Sequence, residues 1–196
     1  MVNWLKLLCP SERVESLAGI DIARLKRRQI EAMLLDLDNT LVPWRSYDVA
    51  PEIEAWIREA GSQGMKFCIV SNTRTSARLQ SLAAELGLPF VRRGAKPRRG
   101  GFREALRLLD VQPAHAAVIG DQIFTDILGG NRLGLYTILV RPLDPREFIG
   151  TRISRFFEKI VLKLLERRGM LHQPSSEADA SGEQTAGTNR QMNTGK

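Results

Sequence analysis

The sequence predicts an α/β protein built on a doubly wound parallel sheet. Between residues 31 and 140, short apolar runs alternate with amphipathic segments of helical period. The runs are apolar on both sides of the chain, so both faces are covered, as in a parallel sheet flanked by helices. The length of 196 residues and a hydrophobic content of 43% suit one domain with a sizeable core.

The elements follow in order. Met33-Leu34-Leu35 runs into Asp36 as the first buried strand. Pro51 fits the first position of a helix, where its missing N–H is no loss, and opens a helix over 51–60 with Ile53, Trp56 and Ile57 on one face. Gly61 and Gly64 close it. Phe67-Cys68-Ile69-Val70 is a second strand, ending at Ser71. A helix over 76–86 carries Leu79, Leu82, Ala83 and Leu86 as its stripe and stops at Gly87. Pro89-Phe90-Val91 is a short third strand, and a helix over 101–109 buries Phe102, Ala105, Leu106 and Leu109. Ala116-Ala117-Val118-Ile119 is the fourth strand, leading into Gly120-Asp121. A helix over about 125–132 ends before Gly134, and 136–140 is a fifth strand. Upstream, 20–30 reads as a short helix.

Several function classes are excluded or disfavoured. No apolar run approaches the roughly 18 residues that span a bilayer. The apolar start, 1–10, is too short and too weakly basic for a secretory signal. Two cysteines, Cys9 and Cys68, cannot form a disulfide scaffold or a four-thiolate zinc site. Cys68 sits in an apolar run and reads as a buried free thiol, in keeping with a reducing, cytoplasmic setting. Lys plus Arg outnumber Asp plus Glu by 29 to 22, and a net charge of +7 suits nucleic acid, anionic lipid or phosphorylated substrates. Large apolar residues nearly vanish after Met170, so 171–196 reads as a disordered tail and 1–170 as the folded domain. His172, in that tail, has no ligand role.

In an open parallel sheet, ligands bind beyond the carboxyl ends of the strands. The polar residues there are Asp36-Leu37-Asp38-Asn39-Thr40 after the first strand, Ser71-Asn72-Thr73 after the second, Lys96 after the third, and Asp121 through Asp126 after the fourth. Crowded carboxylates without His or Cys point to a hard cation, Mg²⁺. Such an ion neutralises a phosphate dianion and lets an anionic carboxylate attack phosphorus. A second carboxylate two residues on serves as general acid and then as base. Ser71 and Lys96 hold the phosphoryl oxygens. Each segment alone is a polar turn or helix cap; the four in order, each after a strand, are a phosphoryl-transfer site.

These motifs resemble the haloacid-dehalogenase-like phosphohydrolase superfamily, in its subfamily IIIA, and within it the YqeG-type phosphatases related to the phosphatidylglycerophosphate phosphatases of mitochondria and plastids. The resemblance covers about 4–165. It implies that Asp36 is the nucleophile and Asp38 the acid/base, with Thr40 ordering their loop and contacting substrate. Ser71, Asn72 and Lys96 take the phosphate-binding positions of the second and third motifs. Asp121 and Asp126 match the acidic fourth motif. Asp36, the backbone carbonyl of Asp38 and Asp121 would then ligate Mg²⁺, with Asp126 acting through water. Relatives insert cap domains between the first and third motifs. Asp38 to Ser71 and Ser71 to Lys96 are each filled by one helix and one strand, so no large cap is expected and the site is open. An open site suits a phosphate on something large, or a partner subunit that supplies a lid.

Two basic segments bear on the partner. Arg92, Arg93, Lys96, Arg98, Arg99, Arg103 and Arg107 face only Glu104 among acids, a steering patch for a polyanionic surface. Phe102 is the one aromatic there, which favours phosphate or lipid over nucleic acid. The helix over 151–168 places Ile153, Phe156, Phe157, Ile160, Val161, Leu164 and Leu165 at helical spacing among Arg152, Arg155, Lys159, Lys163, Arg167 and Arg168. It either packs on the domain or docks on a membrane or partner. Trp4, Leu5, Leu7 and Leu8 offer a smaller apolar contact, Trp44 reads as a core aromatic and His115 as a surface turn residue. The reading is a Mg²⁺-dependent phosphomonoester hydrolase working through an aspartyl phosphate, with phosphatidylglycerophosphate preferred as substrate, cytoplasmic and peripheral at the inner membrane face. Its competitors are a phosphatase of a small soluble phosphate completed by a partner subunit, and a basic RNA- or ribosome-associated module with a vestigial site.

Overall fold

The computed structural model describes residues 4–73, 76–92, 95–144 and 149–171, with the side chains of 76 and 149–155 outside the description. The expected disordered tail, with His172, therefore lies outside the described residues apart from Leu171, as do Arg93 and the side chains of Arg152, Ile153 and Arg155. Six strands form one sheet: β1 (Glu12–Val14), β2 (Ala32–Leu35), β3 (Lys66–Ser71), β4 (Phe90–Arg92), β5 (Ala116–Gly120) and β6 (Tyr136–Val140). Their spatial order is β1-β6-β5-β2-β3-β4, and every neighbouring pair is parallel. The helices are α1 (Trp4–Leu8), α2 (Ile22–Arg27), α3 (Pro51–Ser62), α4 (Ser76–Leu86), α5 (Gly100–Leu109), α6 (Leu128–Asn131) and α7 (Ile149–Arg167). From β2 the chain winds outward through β3 and β4, then returns to β5 on the other side of β2. The topological switch point therefore lies between β2 and β5, where a doubly wound sheet opens its crevice.

Strand alternation divides the core into two layers. Met33 and Leu35 face Ile53, Trp56 and Ile57 of α3 and Leu79 and Leu82 of α4, whereas Ala32 and Leu34 face Phe102, Ala105 and Leu106 of α5. All four β2 side chains are fully buried. Cys68 belongs to the α5 layer, and burial pushes its thiol up to about 12, so it is inert as a nucleophile.

Three details differ from the sequence reading. β1 is a sixth strand, added at the sheet edge beside β6 with Glu12 opposite Ile138. Its Glu-Arg-Val carries a single apolar residue, and its buried Glu12 is accommodated by the Arg24 guanidinium and by the Tyr136 hydroxyl, which donates at 3.2 Å. The helix expected over 125–132 is a π-helical turn, Ile123–Ile127, followed by α6. A Cβ on Gly129 would lie 2.5 Å from the Phe102 ring, and one on Gly130 2.3 Å from Val118 Cγ1, so two bare glycines let α6 press onto α5 and the sheet. The apolar stripe of α7 does not form one face. Leu165 is buried, with Val161 and Leu162 packed on Leu8, Ile123, Ile127 and Leu139, while Phe156, Phe157 and Ile160 are 61%, 52% and 48% exposed. Among the described residues, no helix is long and apolar enough to cross a membrane.

Candidate active site

The loops after β2, β3, β4 and β5 converge at the switch point. Asp36 follows β2 directly, and its N–H donates to the Ile119 carbonyl at 2.9 Å, which extends the β2–β5 ladder into the site. Residues 37–42 then fold into a tight turn, with the Leu41 and Val42 N–H groups donating to the Leu37 carbonyl at 3.0 and 3.2 Å. Asn39 has a positive φ of 64°, a conformation Asn tolerates, and its Oδ1 accepts from the Trp44 N–H at 3.2 Å. β5 ends at Gly120, Asp121 follows, and the π turn brings Asp126 back against Gly120.

Asp36, Asp121 and Asp126 are buried and each offers an oxygen within 4.8 Å of the others. Lys96, also buried, reaches in from the loop after β4: its Nζ pairs with Asp36 Oδ1 and lies 2.7 Å from Asp126 Oδ1. Burial raises the Asp36 carboxyl most; Lys96 opposes that rise, Asp126 and Asp38 add to it, and the result is about 7. Burial works against the Lys96 charge, but Asp126 and Asp36 outweigh it and hold the ammonium above its ordinary range.

The remaining expected residues fall into two groups. Asp38 and Thr40 sit in the β2 turn; the Thr40 hydroxyl is buried without a hydrogen-bond partner. Ser71 ends β3 and is buried, its Oγ accepting from the Thr73 N–H at 3.1 Å. Asn72 does not join the carboxylates. Its amide clasps the Lys96 backbone, Oδ1 accepting from Lys96 N–H at 2.9 Å and Nδ2 donating to Lys96 O at 3.2 Å, which steadies the loop that delivers Lys96. Trp44 is not a core residue: it is half-buried at the rim, with the Arg45 guanidinium 4.4 Å above its ring.

Two further side chains escaped the sequence reading. Arg78, from the first turn of α4, is buried; Nη1 donates to Asp38 Oδ1 at 2.8 Å and Nε to the Ser46 carbonyl at 2.7 Å. An arginine at a helix start looks solvated, and nothing in its spacing to Asp38 gives a signal. Glu158 of α7 is 3% exposed and accepts from the Ile123 N–H at 2.9 Å. Its only sequence signal was being an acid on a basic helix.

Gly120 is fixed by the same crowding. A Cβ there would lie 2.3 Å from Asp126 Cγ, a separation that side chains do not adopt. Gly120→Ala must expel Asp126 from its place beside Lys96. Turnover is expected to fall at least a hundredfold and stability by about 1–3 kcal/mol, the range for overpacked interiors. Aryl-phosphate kinetics and thermal melting measure both, and unchanged values would show that Asp126 need not occupy this position.

The HAD-hydrolase-like family model matches residues 94–142, from the Lys96 loop through Asp126 to the end of β6. The chain is 37% identical over 164 residues to the probable phosphatase YqeG of Bacillus subtilis, covering 84% of this chain and 95% of that protein. The chain belongs to the haloacid-dehalogenase-like hydrolases, in the YqeG-type phosphatase branch. This YqeG-type chain is also 29% identical over 175 residues to phosphatidylglycerophosphate phosphatase 1, chloroplastic/mitochondrial, of Arabidopsis thaliana, covering 84% of this chain and 50% of the plant protein. It is 28% identical over 144 residues to the mitochondrial phosphatidylglycerophosphatase of Saccharomyces cerevisiae, covering 67% of this chain and 76% of the yeast protein. Among solved structures, the cobalt-bound deoxy-D-mannose-octulosonate 8-phosphate phosphatase of Haemophilus influenzae shares the fold, with a TM-score of 0.50 at 16% identity over 70% of this chain and 90% of that one.

Proposed function

We propose that this phosphatase is a Mg²⁺-dependent phosphomonoester hydrolase that works through an aspartyl phosphate on Asp36. We place its substrate in the class of phosphatidylglycerophosphate, on the cytoplasmic face of an anionic membrane. One observation carries the chemistry: three buried carboxylates share a space under 4.8 Å across, faced by the buried ammonium of Lys96. The donor set is oxygen only and carries more negative charge than Lys96 offsets, which fits a hard divalent cation. Asp36, the Asp38 carbonyl, Asp121 and, at one remove, Asp126 would hold it. Bound there, Mg²⁺ supplies the positive charge that lets a carboxylate meet a phosphate dianion.

The chain's own residues carry the steps. An Asp36 oxygen forms a bond to phosphorus as the ester P–O bond breaks, and Asp38 gives a proton to the departing alkoxide. Asp38 then takes a proton from a water that attacks phosphorus, and Asp36 leaves as carboxylate. Lys96 and Ser71 bind the phosphoryl oxygens, Thr40 orders the turn that presents Asp36 and Asp38, and Asn72 fixes Lys96. Arg78 orients Asp38.

The lipid assignment rests on similarity to the plant and yeast enzymes, the short uncapped loops around the site, and the surface beside it. Arg92, Arg98, Arg99, Arg103 and Arg107 are exposed in the segment that flanks Lys96, and on α7 the exposed Phe156, Phe157 and Ile160 stand beside exposed Lys159 and Lys163. Cations near an anionic leaflet each add on the order of 1 kcal/mol. We take 1–170 as the phosphatase domain and expect 171–196 to be dispensable. The test is phosphate release from phosphatidylglycerophosphate in anionic vesicles, with co-sedimentation. Release and binding are expected, and both should weaken as salt shortens the Debye length from about 10 Å at 0.1 M. Both should survive deletion of 171–196. Hydrolysis of an aryl phosphate with no action on vesicle lipid would favour the small soluble phosphate instead.

A further inference from the structure

We propose that Glu158 is a positioning residue for the acidic pair Asp121 and Asp126, which makes α7 part of the catalytic apparatus; the inference rests on the metal reading above. A helix start leaves backbone N–H groups without intrahelical acceptors. At the turn Ile123–Ile127 the local residue that could cap them is Gln122, and its side chain makes no such bond. The cap arrives instead from 35 residues downstream: Glu158 Oε1 accepts from the Ile123 N–H at 2.9 Å and stands 3.5 Å from the Phe124 nitrogen. From inside, Asp126 Oδ2 accepts from the Gln122 N–H at 3.2 Å. The segment between Asp121 and Asp126 is thus gripped on one side by its own carboxylate and on the other by α7.

The placement of Glu158 is unusual for a carboxylate. It is 3% exposed on a helix whose other described charged residues, Lys159, Lys163, Glu166 and Arg167, are exposed. It lies outside the Asp36–Asp121–Asp126 cluster, so it is not placed as a ligand. A buried carboxylate is retained at a desolvation cost, and the groups it demonstrably serves are the N–H groups that follow Asp121. Removing it leaves a buried N–H unpaired at the point where the chain turns from one acidic residue toward the next. Residues that orient ligands from behind typically change metal affinity by 10- to 100-fold when lost.

The experiment compares wild type, Glu158→Ala, Glu158→Gln and Leu165→Val by direct calorimetric titration with Mg²⁺ and by the Mg²⁺ concentration giving half-maximal aryl-phosphate turnover. Glu158→Ala is expected to weaken Mg²⁺ binding about tenfold or more, with turnover largely recovered at saturating Mg²⁺. Glu158→Gln keeps an oxygen acceptor for the same N–H and is expected to stay within about threefold of wild type. Leu165→Val loosens the same helix without touching the turn; it should lower the melting temperature and leave Mg²⁺ affinity alone. Should Glu158→Ala fail to fold, Glu158→Leu, which fills the space but offers no acceptor to the Ile123 N–H, takes its place with the same expected loss of Mg²⁺ affinity. Loss of Mg²⁺ affinity in Glu158→Gln, or an equal loss in Leu165→Val, would overturn the positioning role. Unchanged affinity in a folded Glu158→Ala would do the same while leaving the metal reading intact. A wild-type chain that bound no Mg²⁺ would overturn both.

Discussion

Asp36→Asn is expected to lower turnover on the order of 10⁴-fold or more while leaving the fold in place. The amide has nearly the shape of the carboxyl, and the backbone at this position stays tied to the sheet through the Ile119 carbonyl. What it lacks is an anionic oxygen to attack phosphorus, and it removes one of the three carboxylates proposed to hold the cation. Stability should move the other way. Burial holds the Asp36 carboxyl at about 7, so at pH 8 the metal-free fold carries an ionised group it disfavours. Asn removes that charge, and the metal-free variant is expected to melt no lower than the wild type at pH 8. Aryl-phosphate kinetics with saturating Mg²⁺ and thermal melts in EDTA give the two readouts. Turnover within tenfold of wild type would refute Asp36 as nucleophile. A lower melting temperature would show instead that the Lys96 pairing dominates.

Much of this site was legible because phosphoryl-transfer chemistry leaves local marks. Asp36, Asp38, Lys96, Asp121 and Asp126 follow strands and Ser71 ends one, and strand ends are where apolar runs stop. The period of the buried runs thus locates the rim. The same logic failed where a residue acts across the fold. Arg78 meets Asp38 across 40 residues and Glu158 meets Ile123 across 35, and neither spacing has a periodic signature. The Asn72 side chain meets the Lys96 backbone across 24 residues, because a loop delivering a buried ammonium needs its own carbonyl and N–H satisfied, and that contact too has no periodic signature.

The fold shows the same division. β2, β3 and β5 are covered on both faces and announce themselves as apolar runs. β1 is a three-residue edge, held in part by a buried Glu12 that composition counts as surface. In α7 the apolar residues cover more of the helix than one docking face requires. Pattern alone does not say which subset packs; contact with Ile123, Ile127 and Leu139 selects Val161 and Leu162, Leu165 is buried one turn further on, and Phe156, Phe157 and Ile160 are left outside.

Removing Mg²⁺ is expected to abolish turnover, and the pH at which Mg²⁺ stabilises the protein should report Asp36. In EDTA, Asp36, Asp121 and Asp126 crowd one another, and Lys96 pairs with Asp36 and Asp126. The ordinary carboxyl value is 3.8 and the folded one about 7, so between these limits the folded chain binds a proton that the unfolded chain has lost. By linkage, that group makes the metal-free fold less stable as pH rises through this window. Mg²⁺ needs the ionised carboxylate, so the proton competes with it below pH 7 and its apparent affinity should fall toward tenfold per pH unit. A ligand that binds only the folded state raises stability as the logarithm of its concentration over its dissociation constant. At fixed Mg²⁺ the rise in melting temperature over an EDTA control is therefore expected to be larger at pH 8 than at pH 5.5. The Asp36→Asn variant should lose most of that pH dependence, because the titrating carboxyl is gone. Full turnover in EDTA would defeat the metal requirement outright. Equal Mg²⁺-induced shifts at pH 5.5 and pH 8 would place the cation away from Asp36.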